Sequence, residues 1–409
     1  MRELNIVLVV VGGMILLLGI FSKPIRNRGI FSFPMIAFLV GVALGPTGAA
    51  LLDPARWGDK FRILEEMARL TLAIGLMAVA LRIPPNLFRV ERRPLSVLIG
   101  LVMPGMWLVS SLLAWFLLDL PLAVAFLVGG IITPTDPVVA SAIVTAQVAR
   151  ENLPERVRFV LSGESGANDG LAYMFVLLPI LLINCPAGAV VEHWLLHTVL
   201  REVGGAILLG IVLGYLAGRM LTWAENRDYI EGSSFLAYTI ALALLAVGAG
   251  KLLGTDGILV VFVTGVFFDN VVGARERAEE ENIQEAVNQF FSVPIFTLMG
   301  LMLPVDKWMA LGWRGVALAL AVLAFRRLPV LLAVRPWMGS LRPLRDAVFM
   351  GWFGPIGVSA IFYAMLALRK TGNDQVWAIG SLVICASIIA HGMTASPLTR
   401  RYGRAENMK

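Results

Sequence analysis

Charged residues are scarce in this sequence, at 15% of 409 residues, whereas soluble domains contain about 25%. Hydrophobic residues make up 58%, and apolar runs recur along the chain at the length of about 20 residues that crosses a bilayer as a helix. This composition excludes a soluble enzyme. A transmembrane β-barrel is also excluded, because it would show short alternating segments of about 10 residues instead of continuous apolar runs.

Cysteine is nearly absent. Cys185 and Cys385 lie far apart in apolar surroundings, without CxxC spacing or a second pair. Redox or metal chemistry through thiols is therefore not expected, and no cofactor is predicted.

Thirteen apolar spans are predicted, which makes the chain an all-α polytopic membrane protein. They cover residues 4–21, 30–51, 64–81, 94–118, 121–149, 157–183, 195–221, 233–253, 256–272, 286–303, 310–333, 345–368 and 374–398. With the N-terminus outside, the inner segments hold 21 Lys and Arg and the outer segments ten, and three more inside spans complete the 34. Inner segments carry the basic excess in membrane proteins. We therefore predict a multi-pass protein of the cell (inner) membrane with a cytoplasmic C-terminus.

Two of the predicted spans contain helix breakers. In the fifth span, Pro134 and Pro137 flank Thr135 and Asp136, and the twelfth contains the sequence GPIG around Pro355. Proline removes a backbone donor and interrupts a helix, and unpaired backbone is tolerated at this depth only inside protein or beside water. Matched interruptions in two halves of a chain indicate a secondary transporter built from inverted repeats.

The sixth span carries four polar residues within two turns, in the sequence ESGAND. Glu164 and Asn168 share one helix face, and Ser165 and Asp169 share the next. A carboxylate in hydrocarbon is costly and usually marks an ion or proton pathway. With Asp136 and the Thr135 carbonyl, Ser165 and Asp169 could form an oxygen cage for a monovalent cation, whereas Glu164 could serve only as an ion-pair partner.

Such an oxygen cage would suit a site at which one carboxylate binds either a proton or a cation. A proton and a cation would compete for Asp169, and if the loaded core crosses only when that charge is neutralised, competition becomes exchange. Asp136 would also neutralise the positive helix ends created by its own break.

The sequences TPTDPVVAS and ESGANDGLA resemble the broken-helix and Asn-Asp motifs of the cation:proton antiporters of the NhaP and NHE type. The resemblance extends over essentially the whole chain and implies the NhaA-like fold of two inverted six-helix repeats. It implies that Asp169 carries the ion or proton, that Asp136, Ser165 and the Thr135 backbone bind the Na⁺ (or K⁺ or Li⁺), and that Asn168 steadies Asp136. The function implied is antiport of these cations against H⁺, which serves pH homeostasis.

The resemblance also implies a homodimer and a division of the chain. The expected parts are dimerisation halves at 1–92 and 223–304, core ion-transport halves at 93–190 and 305–409, and a linker helix at 191–222.

Two positions depart from the motifs of many NhaP-type proteins. Ile356 stands where GPRG would place an Arg partner for Glu164, and Ala78 stands where several relatives have Glu. These features look more like the fungal plasma-membrane Na⁺(K⁺)/H⁺ antiporters and their bacterial relatives. Arg326 or Arg327 could replace the missing Arg as the counter-charge to Glu164 or to the carbonyl ends at the second break, or the two arginines could snorkel to the inner surface.

Two other classes would use similar carboxylates. An intramembrane aspartyl protease places two Asp on neighbouring helices, but its GxGD context is absent here. A cation channel needs a carbonyl filter or a long polar face, and no candidate for either occurs. His391 could titrate as a pH sensor, but its small-residue surroundings favour a hydrogen-bonded packing residue.

Overall fold

All the regular structure in the described part of the chain is helical. The computed structural model describes residues 2–22, 32–137, 139–140, 147–229, 234–273 and 277–407. Sixteen principal helices follow one another within these ranges. The first eight are α1 Arg2–Ile20, α2 Phe33–Leu44, α3 Lys60–Arg82, α4 Arg92–Leu118, α5 Leu122–Ile131, α6 Gln147–Asn152, α7 Glu155–Asn184 and α8 Gly188–Glu225. The second eight are α9 Ser234–Leu252, α10 Gly257–Val272, α11 Arg277–Leu301, α12 Val305–Phe325, α13 Leu328–Val334, α14 Leu344–Trp352, α15 Val358–Thr371 and α16 Gln375–Asn407.

Most of these helices have the length and composition of membrane spans. Seven helical segments are long and apolar enough to cross a bilayer, and four shorter apolar helices accompany them. Only 11% of the apolar window of α1 is buried inside the protein, against 72% in α16. Since exposed apolar side chains need hydrocarbon around them, α1 lies at the lipid-facing edge and α16 near the centre.

Helix α7 is the central helix of the site. It packs against α5, α10 and α15, and two of its glycines make these approaches possible. A Cβ at Gly166 would overlap the Phe262 ring, and one at Gly170 would meet Leu259, both on α10. Small residues at such positions let helix backbones come close in membranes.

Two helices are interrupted where the prolines predicted it. Helix α5 ends at Ile131 and the chain is non-helical to Asp136, while α14 ends at Trp352 and α15 begins only at Val358. The two interruptions meet, because the Asp136 amide donates to the Pro355 carbonyl at 2.8 Å.

A third interruption lies between α12 and α13, at Arg326 and Arg327. Both arginines lie within the predicted span at 310–333, and the structure likewise has one apolar segment there, Val305–Trp337, with this short interruption inside it. Pro329 at the second position of α13 explains the new start, because proline fits the first turn of a helix.

Candidate functional site

Asp136 lies where the two interrupted helices meet. Its Oδ2 accepts a hydrogen bond from the Val358 amide, the first amide of α15, and its Oδ1 accepts one from the Val139 amide at 3.4 Å. Helix N-termini carry unpaired amides and a partial positive charge. The Asp136 carboxylate is fully buried. It is therefore stabilised by backbone amides on both sides of the crossing, the point where the two interrupted helices meet.

The glycines of the sequence GPIG make room for this arrangement. A Cβ at Gly357 would overlap Oδ2 of Asp136, and a Cβ at Gly354 would lie 2.5 Å from Cδ of Arg327. Both positions require a residue without a side chain because charged groups approach the backbone there.

Asp169 differs sharply from Asp136. Its side chain is completely buried, and neither carboxylate oxygen has a hydrogen-bond partner among the described residues. Ser359, in the first turn of α15, faces it, and the Ser359 hydroxyl likewise has no partner there. A buried carboxylate without partners costs several kcal/mol, so it must take up a proton or a cation. This is the property that an exchangeable site requires.

The remaining polar residues of α7 are tied to the first interruption. The Asn168 side chain accepts from the Thr135 amide at 3.1 Å and donates to the Thr135 hydroxyl at 2.6 Å. It also donates to Glu164 at 2.8 Å, and the Ser165 hydroxyl lies 3.1 Å from the Thr135 hydroxyl. These bonds of Asn168 run to Thr135, the residue before Asp136, and they hold α7 against the non-helical segment.

The two arginines at the third interruption point inward and are almost completely buried. Arg327 pairs with Glu164 through two parallel bonds of 2.8 and 2.9 Å, and its Nε donates to the Met350 carbonyl at 2.8 Å. Arg326 donates to the carbonyls of Ile132 and Thr133 in the first interruption and to that of Gly354 in the second. Arg327 thus supplies the counter-charge to Glu164, and Arg326 binds carbonyls of both interruptions.

Snorkelling to a membrane surface, the alternative for these arginines, is excluded by their burial. Ile356 is itself buried, at 1% exposure, and its amide donates to the Ser387 hydroxyl at 2.7 Å.

Two features of the site were not predicted. Ser359 lies among small and apolar residues, so its sequence context gave no signal. The Arg326 contact with the Gly354 carbonyl lies where the sequence predicted an arginine against the carbonyl ends of the second interruption, but its contacts with the Ile132 and Thr133 carbonyls of the first were not predicted, because backbone carbonyls leave no mark in a sequence. His391 is buried, with Nδ1 beside the Ser387 hydroxyl and carbonyl and Nε2 at 3.0 Å from the Trp352 carbonyl, as a packing residue would be.

The buried charges at the crossing sum to one net negative charge, which one cation would balance. Three carboxylates, from Asp136, Glu164 and Asp169, face two guanidinium groups, from Arg326 and Arg327, and all five residues are at most 3% exposed. One net negative charge remains, and it belongs to the carboxylate without a partner. A single proton or a single monovalent cation would neutralise the whole cluster.

Comparisons with known proteins agree with this architecture. The profile of the family described as "Sodium/hydrogen exchanger, transmembrane" matches residues 12–401. A Na(+)/H(+) antiporter of Schizosaccharomyces pombe is 31% identical over 418 residues, covering 96% of this chain and 89% of the relative. A Na(+)/H(+) antiporter of Saccharomyces cerevisiae is 30% identical over 89% of this chain, which spans only 40% of that relative.

More distant proteins extend the likeness. A K(+)/H(+) antiporter NhaP2 of a Shewanella species is 25% identical over 95% of this chain and 66% of the relative. The solved structure of the sodium proton antiporter MjNhaP1 from Methanocaldococcus jannaschii at pH 8 superposes with a TM-score of 0.73. The match covers 97% of this chain and 100% of that one at 19% identity, and it shows a shared fold.

Proposed function

The chain belongs to the family of transmembrane sodium/hydrogen exchangers, and from that premise we propose that Asp169 is the residue for which the cation and the proton compete. The protein is a secondary active cation/proton antiporter and not an enzyme. The observation that carries the proposal for Asp169 is its pair of buried carboxylate oxygens, which have no partner among the described residues.

The cation would be bound by oxygen atoms from both interrupted helices and from α7. Asp169 and Asp136 supply carboxylates, Ser165 and Ser359 supply hydroxyls, and Thr135 supplies its carbonyl. Oxygen ligands suit hard cations. The relatives are named for Na⁺ and for K⁺, so the transported ion is Na⁺, K⁺ or Li⁺, and exchange measured with each separates them.

Asp136 would act differently from Asp169. Because amides of both half-helices already hold its carboxylate, it remains charged and contributes a fixed ligand. Asp169 is left to alternate between a proton and the cation. An empty site keeps a net negative charge, which opposes movement through hydrocarbon, so only a loaded core crosses.

The architecture would follow the inverted-repeat plan. We propose thirteen spans, with the core halves at 93–190 and 305–409 moving against the dimerisation halves at 1–92 and 223–304 in a homodimer. Contacts of Arg326 with both interruptions support a core that moves as one unit. Cross-linking of the purified protein in liposomes tests the dimer.

The proposed topology places the N-terminus outside and the C-terminus in the cytoplasm. Chemical labelling of Cys185 tests this topology. The cysteine is exposed and lies in the connection between α7 and α8, which would be outside. A membrane-impermeant maleimide should label the protein in intact cells. The substitution Cys185→Ser should abolish this labelling, because Cys385 is buried. Labelling only after the membrane is opened would reverse the topology.

The test of the mechanism is exchange in proteoliposomes. Asp169→Asn keeps the side-chain volume and removes the charge, so cation-dependent proton movement should disappear while the thermal unfolding temperature is maintained. Asp119→Asn is the matched control, because Asp119 is exposed and pairs only on the surface with Arg314. Exchange by Asp169→Asn near the wild-type rate would refute the proposal.

A further inference from the structure

A second pair of carboxyl groups lies away from the crossing. Asp256 ends the connection between α9 and α10 and is 4% exposed. Its Oδ1 caps α10 by accepting from the Ile258 amide at 3.1 Å, but its buried Oδ2 has no partner among the described residues. Capping of α10 uses Oδ1 only, so it does not explain why Oδ2 of Asp256 is buried.

Glu202 on α8 lies next to Asp256. Its carbonyl accepts a hydrogen bond from the Asp256 amide at 3.3 Å, and its Oε2 is also buried without a partner in the described part of the chain. Two neighbouring carboxyl groups repel each other when both are ionised, which favours a proton on one of them. Either oxygen could hold that proton.

The groups around the pair form a basic rim and a polar inner side. Lys251 lies within electrostatic reach of Asp256, and the Tyr173 hydroxyl lies beside Glu202. Three basic side chains act on Glu202 from a distance: Lys370, His193 and Arg201. Arg369, also close to Tyr173, is already bound by Glu65 through bonds of 2.7 and 2.9 Å. The lysines and Arg201 are exposed at the surface, where water screens them. This screened positive field opposes binding of a further metal cation and also weakens proton binding, so the burial of the two unpartnered oxygens is what favours a proton at the pair.

The pair is connected to the site on α7. Tyr173 lies one turn beyond Asp169 on the same face of that helix, and its hydroxyl faces Glu202. Tyr363 on α15 donates from its hydroxyl to the Asp169 carbonyl and lies within electrostatic reach of Asp256. Two tyrosine hydroxyl groups, of Tyr173 and Tyr363, therefore lie close both to the Asp169 region of α7 and to the pair.

We propose that Glu202 and Asp256 form a second proton site, which takes up the proton that Asp169 releases and passes it to water on the proposed outer side. The proposal rests on the proposed role of Asp169. In the transfer, the O–H bond at Asp169 breaks and an O–H bond forms on the pair, and the pair then loses its proton to water through the rim.

The position of Asp256 sets the pH at which this site works. Burial, and to a lesser degree the neighbouring Glu202, raises the pKa of Asp256 to about 7. The folded protein therefore holds a proton that the unfolded chain has lost above about pH 4. The stability from this group is complete below that pH and is lost as the pH rises through 7.

Infrared difference spectroscopy tests the shared proton directly. The Asp169→Asn protein provides the background, because it removes the other exchangeable carboxyl. A carboxylic C=O band should disappear between pH 6 and 8, near the pKa of about 7. Asp256→Asn, which retains a capping oxygen, should abolish this band, and Glu202→Gln should move its titration to lower pH. Asp59→Asn is the control, since Asp59 also caps a helix but is exposed.

Exchange by otherwise wild-type protein gives the second readout. The double variant Glu202→Gln, Asp256→Asn should slow exchange roughly 100-fold when the outer side must release protons, the lower range for a positioned proton-transfer group. Asp59→Asn should not change the rate.

The outcomes separate the two proposals. A band that Asp256→Asn leaves unchanged, a band that added Na⁺ removes at constant pH, or full exchange by the double variant would each overturn the second proton site. Loss of the band in Asp256→Asn together with retained exchange in Asp169→Asn would instead overturn the role of Asp169.

Discussion

The charge balance at the crossing predicts exchange of one proton for one cation, without net charge movement. Asp136, Glu164 and Asp169 face Arg326 and Arg327, and all five are nearly inaccessible to water. Because amides hold Asp136 and Arg327 holds Glu164, only Asp169 changes its ligand. Whether it carries a proton or the cation, the moving cluster has the same net charge of zero.

The size of the expected effect follows from the membrane field. Moving one elementary charge through 100 mV changes the free energy by about 2.3 kcal/mol, which is roughly a 40-fold change in an equilibrium, since about 1.4 kcal/mol corresponds to a factor of ten. If a second proton moved with each cycle, a potential of 100 mV would shift by this amount the pH and cation gradients at which net transport stops. For exchange of one for one, it should be absent.

The assay measures the balance point in proteoliposomes. A tenfold cation gradient should be cancelled by about one pH unit at zero potential, since both then store about 1.4 kcal/mol per ion. A thiocyanate gradient, which sets a potential without adding a cation, should leave this point unchanged. A balance point that moves with the potential, or one near half a pH unit, would refute the assignment of charges.

Three further predictions concern residues around the same cluster. Arg327→Ala should lower the free energy of unfolding by about 3–5 kcal/mol, because Glu164 would be buried without its partner. Arg335→Ala should have little effect. Thermal unfolding in detergent compares the two variants, and equal losses of stability would contradict the pairing. Ser359→Ala should raise the cation KM more than it lowers the maximal rate, because it removes a hydroxyl facing Asp169, and an unchanged KM would remove Ser359 from the ligand set. The cation KM of the wild type should rise as the pH falls, with the maximal rate restored at saturating cation, because protons and cations compete for Asp169; a KM independent of pH would argue against competition.

The sequence predicted the features that carry a local chemical signal. Pro134, Pro137 and Pro355 predicted where helices stop, because proline cannot continue the hydrogen-bond ladder. The cost of burying Glu164 predicted that it needs a basic partner, and Arg327 provides it. Composition alone was enough to predict an all-helical membrane protein.

Other features depend on contacts between distant parts of the chain. Ser359 has no distinctive neighbours, and its importance follows only from the approach of α15 to Asp169. The Glu202–Asp256 pair joins residues 54 positions apart, one in a helix and one in a short connection. The predicted span at 310–333 lies within the single apolar segment Val305–Trp337, but the interruption at Arg326 was not predicted, because apolar composition reveals the length of a segment and not a backbone break within it.

The burial of Arg327 against Glu164 also constrains how this sequence can vary. An arginine introduced at position 356 would add a third guanidinium to a cluster that already balances once loaded, so it is compatible only with loss of a charge at 326 or 327. Substitutions at these positions should therefore be epistatic, with each single change harmful and the matched double change tolerated. The counter-charge could thus be moved from one helix to another only when its loss at one position and its gain at the other are made together.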